Sequence, residues 1–253
     1  MKKILFLILT FFTLLPVRAG VVAEADSAYL SDKYDDAVRL YSQAIDELGP
    51  SAERYYNLGN AHYRLGNLGA AILNYERALR LDPNNNDIRE NLDFVNSKTV
   101  DRIETQESFV GAMTDKVGRL MPPNAWSIIG IVFFVLTLIG AVIYFFGQGV
   151  MIRKVGFFGG GLTLMLCVVI NILAYREASK ATADNEAIVM VKSVNLSTTP
   201  RTPMNRSEEA LLLHEGAKVY ILTSITPGDE TWYDVMVDDS HRAWIPASAI
   251  EII

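Results

Sequence analysis

The chain has 253 residues, half of them hydrophobic, and a formal net charge of −6. That acidic balance, with no basic stripe anywhere, argues against a nucleic-acid partner, because phosphate binding needs clustered Lys and Arg. A single cysteine, Cys167, excludes a disulfide framework or a thiolate zinc site within one chain.

Lys2 and Lys3 precede an apolar core of about a dozen residues, and Val17 and Ala19 take the small-residue positions before a cleavage point. Residues 1–19 read as a secretory signal peptide, with an uncleaved anchor helix as the alternative. Either reading puts the following segment outside the cytoplasm.

Residues 20–98 are helical by periodicity and by internal repetition. Ala37, Tyr41 and Ala44 recur 34 residues later as Ala71, Tyr75 and Ala78. Gly59 and Ala71 allow close helix approach, Tyr75 beside Ala78 is a large-small packing pair, and Pro83 stops a helix. Tyr55, Leu58, Gly59, His62, Ala71, Tyr75, Ala78 and Pro83 give this segment the pattern of a tetratricopeptide repeat, which it resembles. The first copy has Glu24-Ala25 in place of Leu-Gly, and residues 85–98 form one further helix, read as a cap. The resemblance implies an all-α solenoid of two repeats plus a capping helix, with a concave peptide groove. Its groove candidates are Tyr56, Asn57, Asn60, Tyr63 and Arg64. Asparagines there can hydrogen-bond a peptide backbone, and Arg64 can reach a carboxylate. Asp26 and Asp87, with Val22 and Asn91, stand where a carboxylate clamp would need cations, so no such clamp is expected.

Residues 99–124 form a linker in which Val110, Met113, Val117 and Leu120 recur at helical spacing. The segment suits a helix lying in a membrane interface or one packed on the repeats. Residues 126–147 and 156–175 are apolar and long enough to span a bilayer, with Trp126 at the interfacial start of the first. Residues 148–155, carrying Arg153 and Lys154, read as a cytoplasmic turn that makes the pair a transmembrane hairpin. Repeats and C-terminal region then share the periplasmic side. Gly130, Gly140 and Gly159–Gly161 suit close helix contact, and Asn171 suits a hydrogen bond within the pair.

Residues 185–253 change to short β-branched segments separated by turns such as Thr226–Glu230. The stretches "SVNLSTTP", "LHEGAKVYIL", "TWYDVMV" and "RAWIP" resemble a bacterial SH3-like domain, with Ala243 in place of that family's glycine. The resemblance implies an all-β barrel. Tyr220, Trp232, Tyr233 and Trp244 are its aromatic candidates, either for stacking on a ligand or for the core.

No phosphate loop, nucleophile elbow or His-Glu-x-x-His motif is present. Acid pairs such as Asp35-Asp36 and Glu208-Glu209 read as caps and turns, and His62, His214 and His241 as scattered histidines. No catalytic, metal or cofactor site is expected, and the chain reads as a binding protein. The whole order of signal, repeats, membrane hairpin and SH3-like region resembles the Bacteroides aerotolerance E (BatE) family of the Bacteroidetes. The likeness includes "NNDIRENLDFVNSK" after the repeat and "LLLHEGAKVYIL" near the C-terminus. It implies a multi-domain inner-membrane protein that assembles with other Bat proteins, some bearing von Willebrand A domains, in an oxygen-tolerance setting. A cell-wall module whose SH3-like domain binds peptidoglycan peptides is the alternative.

Overall fold

The computed structural model describes residues 20–101, 109–118, 120–121, 123–181, 185–238 and 240–253. The signal-peptide reading of residues 1–19 lies outside them, as does part of the linker. The described residues form two compact units, one drawn from residues 20–101 with 185–253 and one from residues 109–181. Helices and sheet on either side of the hairpin thus belong to a single unit, where the sequence suggested two domains.

In the first unit, helix α1 covers 20–30 of the described residues. Helices α2 (Tyr34–Leu48), α3 (Ala52–Leu65), α4 (Leu68–Leu81) and α5 (Asn86–Asn96) follow. Ser51 caps α3 by accepting from the Arg54 N–H at 3.2 Å. Gly66, left-handed at φ 81°, ends the helix. Gly59 is required by contact: a Cβ there would lie 2.8 Å from the Tyr75 ring. One repeat earlier, fully buried Ala25 stands in the position of Gly59.

Seven strands complete the unit: β1 (Glu186–Val189), β2 (Ser193–Ser197), β3 (Glu209–His214), β4 (Lys218–Ile225), β5 (Trp232–Met236), β6 (Arg242–Pro246) and β7 (Ile250–Ile252). The sheet is antiparallel in the order β3-β2-β6-β5-β4-β1-β7. Its end strands β3 and β7 do not pair, so the expected closed barrel is an open sheet. Residues from every strand nonetheless share one core, including Val189, Leu196, Leu213, Val219, Val235, Ile245 and Ile250.

Strand β1 joins the two halves of this unit. Ala187 and Val189 enter the sheet core, while Ile188 points the other way into the helical core with Ile72, Tyr75, Ile88 and Val95. A strand buried on both faces must read as a continuous apolar run, and "AIV" does. α5 has no helix following it to pack against; the sheet fills that seat.

Polar contacts fix the seating. The α4 N-cap residue, Asn67, makes no side-chain cap. Instead, Glu215 from the β3–β4 turn accepts the Gly69 N–H at 2.8 Å, a carboxylate at the positive end of a helix. A Cβ on Gly69 would collide with the Glu215 side chain and the Val189 carbonyl. Lys218 bridges Glu76 of α4 at 3.2 Å and Glu186 of β1 at 3.0 Å. Burial works against its charge, but the two carboxylates outweigh it and raise the Lys218 pKa. Arg77 reaches Glu251 at 2.9 Å and Arg80 reaches Glu186 at 3.3 Å.

The second unit holds α6 (Phe109–Gly118), α7 (Pro123–Phe146) and α8 (Val150–Ala181). Within α7 and α8, Asn124–Phe146 and Val150–Ser179 are long and apolar enough to cross a membrane, and few of their residues are buried. α8 begins earlier than the apolar run suggests: the turn is only residues 147–149, and Arg153 and Lys154 lie in the first turn of α8. The helices run antiparallel, with Gly140 against Gly160 so closely that a Cβ on Gly140 would lie 2.6 Å from the Gly160 Cα. Asn171 bonds back to the Cys167 carbonyl at 2.8 Å. Trp126, expected at an interface, is buried against Ile170 and Ala174, and its indole N–H donates to the Gly118 carbonyl at 2.8 Å. Helix α6 packs against α8 within this second unit.

Truncating Ile188 to Ala should destabilise the first unit by about 2–5 kcal/mol, through lost burial and the cavity left behind. Helical circular dichroism and tryptophan fluorescence should shift together in denaturant. A change in one signal alone would mean that helices and sheet unfold separately.

Candidate functional site

The repeat register is written into the hydrogen bonds. The Tyr41 hydroxyl donates to Asp26 Oδ1 at 2.6 Å, and 34 residues later the Tyr75 hydroxyl donates to Asn60 Oδ1 at 2.7 Å. Burial is the main cause that pushes both tyrosine pKa values up, so both remain neutral donors. Asn91 of α5 closes the second arrangement, donating to the Tyr56 hydroxyl at 2.8 Å and to Asn60 Oδ1 at 3.3 Å.

The five groove candidates therefore have unequal roles. Tyr56 and Asn60 are held in the α3–α5 seam. Tyr63 meets Phe94 edge-on, with centroids 5.7 Å apart. Arg64 pairs with Asp32 at 3.4 Å and lies 4.5 Å above the Tyr34 ring. The Asn57 side chain makes no hydrogen bond among the described residues. Asn91 and half-exposed Phe94 also belong to this face; adding 34 to Asn57 and Asn60 would have found them.

The aromatic candidates on the sheet do not converge. Tyr233 faces the core beside Ile245, while Trp232, Asp234 and Trp244 share the opposite face. Trp232 is 4% exposed yet outside the core cluster, and partly buried Trp244 is outside it too. Parity explains this: each lies an odd number of residues from the inward-facing Val235 and Ile245. Tyr220 sits opposite Met236, at the other end of β5 from Trp232. Trp232 instead lines a cleft of about 260 Å³ with Val194, Asn195, Pro203, Glu209 and Pro246. This cleft is apolar on its proline and tryptophan walls and polar at Asn195 and Glu209.

His62 replaces a common repeat tyrosine and is partly buried, with no partner for its Nδ1. Burial lowers its pKa below the usual 6.5, against a weaker opposing pull from Glu251. Among the described residues, no three His, Cys, Asp or Glu side chains are grouped to hold a metal ion.

Residues 52–85 match the tetratricopeptide repeat family, which marks the helical part as a protein-interaction scaffold. Curated relatives include Protein SGT1 homolog of Oryza sativa subsp. japonica, 36% identical over 61 residues. Protein SGT1 homolog of Dictyostelium discoideum is 32% identical over 59 residues. These alignments cover 24% and 23% of this chain but only 17% and 15% of the relatives' own lengths.

Two measurements separate support from recognition. Asn60→Ala leaves the buried Tyr75 hydroxyl without its acceptor and should cost about 1–3 kcal/mol; Asn57→Ala should stay within about 0.5 kcal/mol. Chemical unfolding checks both. The lowered pKa of His62 means the unfolded chain binds a proton that the folded form resists. Its contribution is neutral above the ordinary value of 6.5 and increasingly destabilising as pH falls below it. His62→Tyr should therefore gain stability over the native chain at pH 5 relative to pH 7.5.

Proposed function

We propose that this protein is a non-enzymatic, membrane-anchored adaptor whose repeat groove holds a segment of a partner protein. The observation that carries this reading is the α1–α3–α5 face. Its supporting residues are locked by Tyr41–Asp26 and Tyr75–Asn60, while Asn57 and Phe94 remain available. Preorganised side chains of this kind lose little entropy on binding.

The hairpin α7–α8 serves as the anchor in the bacterial inner membrane, with Arg153 and Lys154 at its cytoplasmic turn. The core shared by α4, α5 and β1 supports a hairpin reading, since two segments packed through Ile188 must lie on one side of a bilayer. We take that side to be the periplasm and residues 1–19 to be the signal that directs export. Residues 185–253 we read as SH3-like, on the 3₁₀ turn Ala247–Ala249 before the last strand as well as the resemblance. The BatE likeness suggests von Willebrand A proteins and other Bat membrane proteins as partners in an aerotolerance assembly.

The cleft beside Trp232 favours a second reading, in which the sheet binds peptidoglycan peptides. Co-sedimentation with purified sacculi, lost on Asn195→Ala, would support it.

Affinity capture from mildly solubilised membranes tests the adaptor reading. With Asn57→Ala and Phe94→Ala together, partner recovery should fall about tenfold, the equivalent of about 1.4 kcal/mol. Equal recovery of the same partners would move assembly to the hairpin or the sheet.

A further inference from the structure

We infer that the groove selects an extended protein segment bearing basic side chains about three residues apart; this rests on the groove being the binding face, as proposed above. Four carboxylates lie on that face by repeat register. Asp26 of α1 matches Asn60, and Asp87 and Glu90 of α5 match Glu53 and Tyr56 of α3. Asp26 accepts from the Tyr41 hydroxyl at 2.6 Å, and Glu53 lies about one helical turn before Asn57 on α3. Among the described residues, none of the four is in an ion pair.

The cations on this face are already engaged and stand at its other end. Arg64 is paired with Asp32, and Lys98 lies 4.5 Å over the Phe94 ring. Both are in the last turn of α3 or just past the end of α5, whereas Glu53, Asp87 and Glu90 are near the helix starts. Glu53 and Asp87 also suit the positive ends of their helices. Asp26 and Glu90, farther along, have no such role. The acidic end of the groove can thus be neutralised only from outside.

Spacing chooses the occupant. The acids are not grouped to hold one metal ion, so several separate cations fit them better than one. Neighbouring packed helices lie about 8–10 Å apart. An extended chain advances about 3.3 Å per residue. Basic side chains three residues apart would therefore meet successive helices, while the residues between them face Asn57, Tyr63 and Phe94.

Fluorescence anisotropy on the detergent-solubilised full chain tests this. The probes are three short synthetic peptides of equal length and apolar content, with Lys, Gln or Glu at every third position. The Lys peptide should bind at least about tenfold tighter than the Gln peptide, and the Glu peptide weakest. Asp26→Asn with Glu53→Gln should lower the affinity for the Lys peptide, and adding Asp87→Asn and Glu90→Gln should bring it to that of the Gln peptide, leaving the latter unchanged. Folding should survive, because Asn60 already shows that an asparagine can accept the tyrosine hydroxyl there. Equal Lys and Gln binding, lost in Asn57→Ala with Phe94→Ala, would overturn the charge inference and leave the groove reading standing. A Lys preference that persists with Asp26→Asn, Glu53→Gln, Asp87→Asn and Glu90→Gln combined would overturn it by assigning the attraction to other acids. No binding of any peptide would count against both.

Discussion

Ile188 between α4 and α5 is the contact on which the rest of this structure depends. It lets β1 serve two cores at once: its neighbours Ala187 and Val189 close the sheet, and Ile188 closes the helical stack. Two repeats are near the minimum for a solenoid, whose terminal units must be covered. Here the covering element is the sheet. Apolar burial supplies the attraction, and the Glu76–Lys218–Glu186–Arg80 chain of charges supplies the register. Charges buried in this way favour one seating over others more than they add stability. Glu215 completes the arrangement by capping α4 from the far end of the chain.

This explains which parts were legible in the sequence. The 34-residue recurrence of Ala37, Tyr41 and Ala44 announced the repeats, since helix packing demands those sizes at those positions. Two long uncharged runs announced the hairpin helices. The sheet was legible as strands but not as a closed barrel, because strand pairing is non-local and Ala187–Val189 gives no sign of its second partner. Glu215, Lys218 and Arg80 were unreadable for the same reason: a surface-type charge looks alike whether it meets water or a helix 140 residues away. Within the proposed groove, residue type did not distinguish Asn60, which accepts the Tyr75 hydroxyl, from Asn57, whose side chain has no such partner among the described residues. Parity sets which way the tryptophans face. Trp232 and Val235 differ by three residues and must face opposite ways on one strand.

The arrangement also bears on how the proposed adaptor would work. Helices and sheet, interrupted in sequence by a hairpin, form one body, so a ligand in the groove and one in the Trp232 cleft would act on the same rigid core. A change at either would be felt through β1 rather than through a flexible linker. Gly140 and Gly160 bring α7 and α8 into close contact, and in the proposed topology the three-residue turn leaves little to engage partners on the far side of the membrane. Recognition then falls to the helical face and the sheet.

The most direct test of this account is the sidedness of the two halves of the first unit. In a Cys167→Ala background, single cysteines can be introduced as Ser27→Cys in α1, Ser207→Cys before β3 and Lys154→Cys at the start of α8. Each is labelled in sealed membranes with an impermeant maleimide. The account requires Ser27→Cys and Ser207→Cys to label from the same side, and Lys154→Cys from the other. Labelling of the first two from opposite sides would separate Ile188 from the repeats by a bilayer and contradict the shared core outright.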